Sequence, residues 1–290
     1  MTERGRQHGF SLIELITVVL LVGALAGVAG VFIVEPFRAS RDIEQRARLT
    51  DQADLVVDRV VREVRRALPN SVRVTAAGGR TAVEFVPTRT GARYRRLPPS
   101  GPGGDTLNRA LGSDSFDALG GLPGIGAISV SGVGSTTCAT GARDCMSIYN
   151  TGQSGFDVYD GDNIAAITAT TDNAGTDQLT FDTGGGGPAF AAHSPRQRFF
   201  VFGDVVSFVC EPGSGRLLRY ATYGLQSAQP VADADFGTAP DLVADDLSAC
   251  TLRYQPGTAT RQGLLTIDIA LTRGGETVDL LAQAHVVNAP

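Results

Sequence analysis

Hydrophobic and polar positions divide the chain into three stretches of different period. From Phe10 to Val34 the residues are apolar almost without interruption, long enough to cross a bilayer as a helix, which takes about 20 residues. Arg4 and Arg6 precede the run; a positive flank of this kind stays in the cytoplasm and leaves the rest of the chain outside. Glu35-Pro36 ends the run, and a proline inside a continuing helical pattern bends or interrupts it. From Ser40 to Leu68 the period becomes helical. Ala53, Val56, Val57, Val60, Val64, Ala67 and Leu68 recur at three- and four-residue intervals, while Asp54, Asp58, Arg59, Arg62 and Arg66 fall largely off that stripe. This predicts an amphipathic helix with one face packed, stopped by Pro69-Asn70, with Arg62, Arg65 and Arg66 at the negative end of its dipole.

Beyond Asn70 the pattern alternates, and Gly, Thr, Ser and Asp become frequent. Strands are predicted at 71–75, 81–87, 163–170, 178–181, 198–202, 205–210, 216–223, 249–254, 263–271 and 277–287. The last two form the cleanest unit: Leu265, Ile267, Ile269 and Leu271 alternate with Thr266, Asp268, Ala270 and Thr272, and Arg273-Gly274-Gly275-Glu276 turns the chain. A second hairpin joins 205–210 to 216–223 through Pro212-Gly213-Ser214-Gly215. Between Gly91 and Gly126 the chain is rich in Gly, Pro and Ser and is expected to be a long surface excursion with no core of its own. The fold class is α+β: a long amino-terminal helix packed on an antiparallel, β-rich domain, in one 290-residue chain large enough to be stabilised by burial.

Composition narrows the chemistry. The net charge of −5 and the pI near 5.2 give no field that favours nucleic acid as a partner. All 25 basic side chains are arginine, so reactions that need a lysine ammonium, such as P-loop phosphate binding, Schiff-base formation and Ser-x-x-Lys hydrolysis, are excluded. Cys138, Cys145, Cys210 and Cys250 all follow the apolar run and form no Cys-x-x-Cys pair, which argues against zinc. In an exported region they read as two disulfides, by proximity Cys138 with Cys145 and Cys210 with Cys250, although four cysteines permit three pairings. The second bridge closes a loop worth about 3 to 4 kcal/mol in the chain-entropy model.

Glu14 stands out on hydropathy grounds. A carboxyl inside an apolar span costs on the order of 2.5 to 3.5 kcal/mol at the centre of the bilayer, so it asks for a partner. Cleavage between Gly9 and Phe10 would create one, because the new α-amino group of a neighbouring subunit lies at nearly the same depth. The run Gly9-Phe10-Ser11-Leu12-Ile13-Glu14-Leu15 resembles the processing site of type IV prepilins and of the pseudopilins of type II secretion. The resemblance implies that a membrane aspartyl peptidase cleaves after Gly9 and N-methylates Phe10, and that Glu14 guides docking into a filament.

Distal segments resemble the minor pilins of MSHA biogenesis: Val205 to Tyr220 with its Val-Ser-Phe-Val-Cys-Glu-Pro core, Leu247-Ser-Ala-Cys250, Arg261-Gln-Gly-Leu-Leu265, the closing Gln283 to Pro290, and the junction Arg66 to Val74. That likeness is weak from Gly91 to Gly187. It implies a cytoplasmic leader (1–9), a transmembrane and assembly helix (10–34), an amphipathic helix (35–70) and a β-rich extracytoplasmic domain (71–290). The implied role is a non-enzymatic minor pilin that helps initiate or cap a pilus, with adhesion as an added role. Its partners are the prepilin peptidase, the major and other minor pilins, the assembly platform with its ATPase, and the inner membrane, from which the chain passes to a pilus on the cell surface. Other readings stay open: a minor pseudopilin, a surface-binding module on a plain membrane anchor, or a secretory signal peptide cut after Ala24-Leu25-Ala26.

No other constellation points to catalysis or to a cofactor. Asp160-Gly161-Asp162-Asn163 offers oxygens to calcium but lacks the twelfth-position glutamate of an EF-hand, so a plain turn is the simpler reading. Gly184 to Gly187 lacks the strand-to-helix setting of a phosphate loop. His8, His193 and His285 are scattered, and no Gly-x-Ser-x-Gly elbow is present. Arg89, Arg93, Arg95 and Arg96, with Tyr94 between them, form the one stretch of nucleic-acid character, against which a solvated loop is the plainer account.

Overall fold

A single helix, α1 (Leu12–Val64), carries both amino-terminal stretches. The interruption expected at Pro36 does not occur, because the backbone stays helical through it. Proline removes one hydrogen bond, a loss that intact turns on either side can bridge. The structure is a computed structural model that describes residues 9–100, 104–131, 138, 143–173, 175–184, 189–258 and 261–290, and for 31–39 the backbone alone. Residues 1–8, with Arg4, Arg6 and His8 and most of the expected leader, lie outside the described residues, as do Gly185 to Gly187. Past Val64 the helix tightens into shorter bonds, with Arg66 N donating to Glu63 O and Ala67 N to Val64 O. Leu68 N then donates to Val86 O, which passes the chain into a sheet.

Two strands follow, β1 (Arg73–Ala77) and β2 (Arg80–Phe85). Six more come next: β3 (Thr88–Tyr94), β4 (Ser113–Leu119), β5 (Cys145–Ser147), β6 (Ile164–Thr171), β7 (Thr176–Asp182) and β8 (Arg198–Phe202). The chain then returns through β9 (Val206–Glu211), β10 (Arg216–Ala221) and β11 (Asp241–Ala244), and finishes with β12 (Leu247–Gln255), β13 (Gly263–Arg273) and β14 (Glu276–Val286). These strands make a five-stranded sheet in the order β1-β2-β9-β10-β11, a three-stranded sheet β12-β13-β14 and a closed barrel β3-β4-β7-β6-β5-β8, with every pairing antiparallel.

The barrel is therefore an insertion between β2 and β9, which are neighbours in the sheet. This corrects the expectation of a coreless surface excursion over 91–126. Tyr94, Leu107, Phe116, Ala118, Leu122 and Ile125 from that stretch are buried in a cluster of their own with Met146, Ile167, Phe181 and Phe199. Phe116 meets Phe199 edge-on at 5.2 Å and Phe181 at 6.1 Å, geometries that aromatic rings favour.

Below the barrel, α1 lays its stripe on both sheets. Leu49, Ala53, Val56, Val57, Val60 and Val64 share one cluster with Phe85, Phe208, Leu265, Ile267 and Ile269, each large side chain contributing roughly 1.5 to 3 kcal/mol by burial. The disulfide Cys210–Cys250 ties β9 to β12, joining the two sheets under the helix, and Cys138 is bonded to Cys145 at the start of β5. Glu63 fixes the helix edge with Arg59 at 3.3 Å and with Arg219 of β10 at 3.0 Å.

Candidate functional site

At its amino terminus α1 opens with Ser11 in extended conformation as N-cap, its hydroxyl accepting from Glu14 N at 3.3 Å. Ser11-Leu12-Ile13-Glu14 has the spacing of a capping box, in which the glutamate side chain reaches back to the N-cap backbone N–H. Only one half of that box forms. Among the described residues the Glu14 carboxylate makes no hydrogen bond and no ion pair. Its position in the first turn places it at the positive end of the helix dipole, and it projects from a helix whose apolar face has no cover. Phe10 is 80% exposed and Leu12 78%. None of the apolar stretch Leu12–Gly30 is buried in the chain. An uncovered apolar helix with one free carboxylate is complementary to lipid and to a cation held at the depth of Glu14.

The other residues singled out by sequence fall into structural roles. Arg89 lies on β3 and pairs with buried Asp144, its Nε 2.9 Å from Oδ1; Ser129 N donates to the other oxygen at 2.8 Å, and burial pushes the Asp144 carboxyl up. Gly203 leaves room for this pair, since a Cβ there would displace the Asp144 carboxylate and the Arg89 guanidinium. Arg95 pairs with Asp117 at 2.8 Å. Tyr94 is a core residue, stacked on His193 with its hydroxyl 3.1 Å from Nδ1. The solvated loop expected over these arginines is therefore in part a barrel strand, with Arg89 and Arg93 on β3 and Arg95 and Arg96 just past its end; Arg89 and Arg95 are already paired, and Tyr94 is inaccessible for stacking.

Asp160 to Asn163 is a turn that follows a single 3₁₀ turn capped by Asp157. Asn163 accepts from Ala191 N at 2.7 Å, and Asp162 from Asp157 N at 3.4 Å. Among the described residues no three His, Cys, Asp or Glu side chains converge as metal ligands. His193 serves the barrel and His285 is exposed on β14.

One polar centre had no signal in the sequence. Glu84 is fully buried on β2, ion-paired with Arg73 and accepting from Tyr223 Oη at 2.7 Å. Arg73 also donates to Ser227 O at 2.7 Å and Gln226 O at 2.6 Å, and its guanidinium lies 3.6 Å from the centre of the Tyr159 ring. Tyr159 belongs to the inserted segment and donates to Ser71 O at 2.7 Å. One arginine thus connects the sheet, the 226–227 loop and the barrel insertion. Burial raises the Glu84 carboxyl against the pull of Arg73, and it raises the Tyr223 hydroxyl strongly, with the Glu84 charge adding to the effect. The centre is closed and has the character of a structural lock.

Residues 4–30 match the prokaryotic N-terminal methylation motif. That motif marks prepilin-type chains, meaning type IV pilin-like proteins and pseudopilins, and it implies processing by a prepilin peptidase, anchoring in a membrane by the apolar helix, and assembly with other pilins. The match covers the helix start and the uncovered span, and ends short of the globular part. No curated protein and no solved structure matches the chain.

Proposed function

We propose that the prepilin-type chain is a minor type IV pilin of the MSHA type, a structural and non-enzymatic subunit that helps initiate or cap a pilus. In this reading the peptidase cuts after Gly9 and methylates Phe10. The subunit waits in the inner membrane with its β-rich part in the periplasm, and Glu14 then meets the terminal amine of a neighbouring pilin as the chain leaves the bilayer. The observation that carries the proposal is the half-made capping box: among the described residues Glu14 has no partner, and it sits at the start of the span of α1, Leu12–Gly30, that is not buried in the chain. The inserted barrel adds bulk that fits the end of a filament better than its shaft, and a surface on which adhesion can act.

The decisive experiment replaces Glu14 by alanine. Sheared filaments should lose the subunit while the melting curve of the β-rich part stays unchanged, and mass spectrometry should find mature wild-type chains beginning at methylated Phe10. Normal incorporation of Glu14→Ala, or an amino terminus elsewhere, would overturn the proposal. The motif is shared with pseudopilins, so a deletion strain that retains its pili and loses secretion of exported proteins would move the same subunit to a type II secretion filament.

A further inference from the structure

Exposed sheet edges offer unpaired backbone groups to other chains, and proteins blunt them with short strands, bulges, prolines, lysines or covering loops. Three of the four open edges here are treated in that way. β1 is five residues long and is crossed by the 226–229 segment, with Arg73 donating to the carbonyls of Gln226 and Ser227 and Thr75 to Gln229. β11 has four residues and a bulge against β10 between Leu217 and Leu218. β12 carries a bulge between Leu247 and Ala249 and is held beside the other sheet by Cys250. The barrel closes on itself.

β14 lies with one face against α1 and carries the charges of Glu276 and Asp279, but among the described residues it has no shortening, bulge, proline or covering loop. It runs for 11 residues in unbroken register with β13, contains no proline, glycine or lysine, and pairs on one side only. Among the described residues its outward backbone groups have no partner. At its middle Leu281 is 64% exposed, beside Asp268 on β13 and two positions from Asp279. Both carboxylates are exposed and make no ion pair among the described residues.

We infer that β14 is a strand-addition site for an extended segment of another polypeptide, one that sets an aliphatic side chain against Leu281 and an arginine or lysine against Asp279. Backbone pairing supplies affinity in this mode, and alternate side chains supply specificity. A second copy of β14 paired antiparallel is not the occupant. The turn before β14 lies at Gln45, which donates to Arg273 O, and its far end lies at Asn70, 3.5 Å from Asn288 O. The strand therefore runs alongside α1 in the same direction, and antiparallel pairing of two copies would set their membrane helices in opposite directions.

The test uses the full chain in detergent micelles and two heptapeptide probes, Thr-Arg-Thr-Ile-Thr-Arg-Thr and Thr-Glu-Thr-Ile-Thr-Glu-Thr, read by amide hydrogen exchange. The basic probe should slow exchange across 276–286 by at least about tenfold, because pairing raises local opening free energy, and should leave β1 and β11 unchanged. Asp279→Arg should abolish that slowing, and Leu281→Ser should reduce it, each at an unaltered melting temperature. No slowing at millimolar basic probe, equal slowing by the acidic probe, or a folded Asp279→Arg chain that still responds would overturn the inference. None of these results depends on where the amino terminus is cut, so this inference and the pilin reading stand or fall separately.

Discussion

Within α1 the span from Leu12 to Gly30 has no protein against it, whereas from Leu49 to Val64 the same helix sinks its apolar stripe between two sheets. Val19 is 63% exposed and Val60 2%. Uncovered apolar surface costs about 25 cal/mol per Å² in water, so the first half must find its cover outside the chain, while the second half has already found it inside. Folding and assembly are thus assigned to different turns of one continuous helix, and a change in either should leave the other intact.

The largest effect that would break this separation is a charge at equivalent positions. Val60→Asp buries a carboxylate without a partner, which costs about 4 kcal/mol or more, and urea titration should find the helix-bearing part unfolded. Val19→Asp should melt as wild type and show its effect in carbonate extraction of membranes, where the helix is held less firmly.

Phe181→Ala comes next, at about 3 to 5 kcal/mol for a buried aromatic residue. Because Phe181 lies in the barrel cluster and Val60 in the helix cluster, hydrogen exchange should rise in β4, β6 and β7 first, with α1 protected. Equal loss in both would show that the two cores melt as one.

Replacing Cys210 and Cys250 together by serine removes a closure spanning 40 residues, worth about 3 to 4 kcal/mol at most in the chain-entropy model. Thermal melting should fall for the helix-bearing sheets and little for the barrel.

The smallest expected effect is one of pH. Burial raises the Glu84 carboxyl above its ordinary 4.5, so the folded chain holds that proton more readily than the unfolded chain does. Its contribution is most favourable below 4.5 and declines as pH rises through the raised value. Glu84→Gln should flatten this decline in a stability–pH profile. Glu211 and Asp233 have the opposite sign: hydrogen bonds from Ser214 and from Arg80, respectively, hold them low, so their contribution is lost on acidification.

Much of the helix-bearing part was legible in the sequence. The stripe from Ala53 to Leu68 is buried as its spacing required, and both hairpins form, β9 with β10 and β13 with β14. The glycines at 215, 274 and 275 adopt the positive φ that their turns need. β3, β4, β5 and β11 were missed for identifiable reasons. β4 reads Ser-Asp-Ser-Phe-Asp-Ala-Leu, and its buried Asp117 is acceptable only because Arg95 is there to pair with it. β5 is three residues long and buried on both faces, so it shows no alternation. The barrel has no signature of its own, because the pairings that close it, β3 with β8, β4 with β7 and β5 with β8, join strands far apart in the sequence. At the amino terminus the processing pattern is plain in the sequence, whereas the half-closed capping box from Ser11 to Glu14 depends on where the glutamate side chain points, which spacing does not report.

Both ends of the inserted segment leave from the same place, since Phe85 sits opposite Val206 where β2 ends and β9 begins. A short hairpin turn could replace everything between Val86 and Val205 without disturbing the order of the sheet beneath. The barrel is accordingly a cassette entered and left at one point of the sheet, and a fold mounted in its place would have to supply new cover for Leu68, Ser71 and Arg73, which Val158 and Tyr159 now provide.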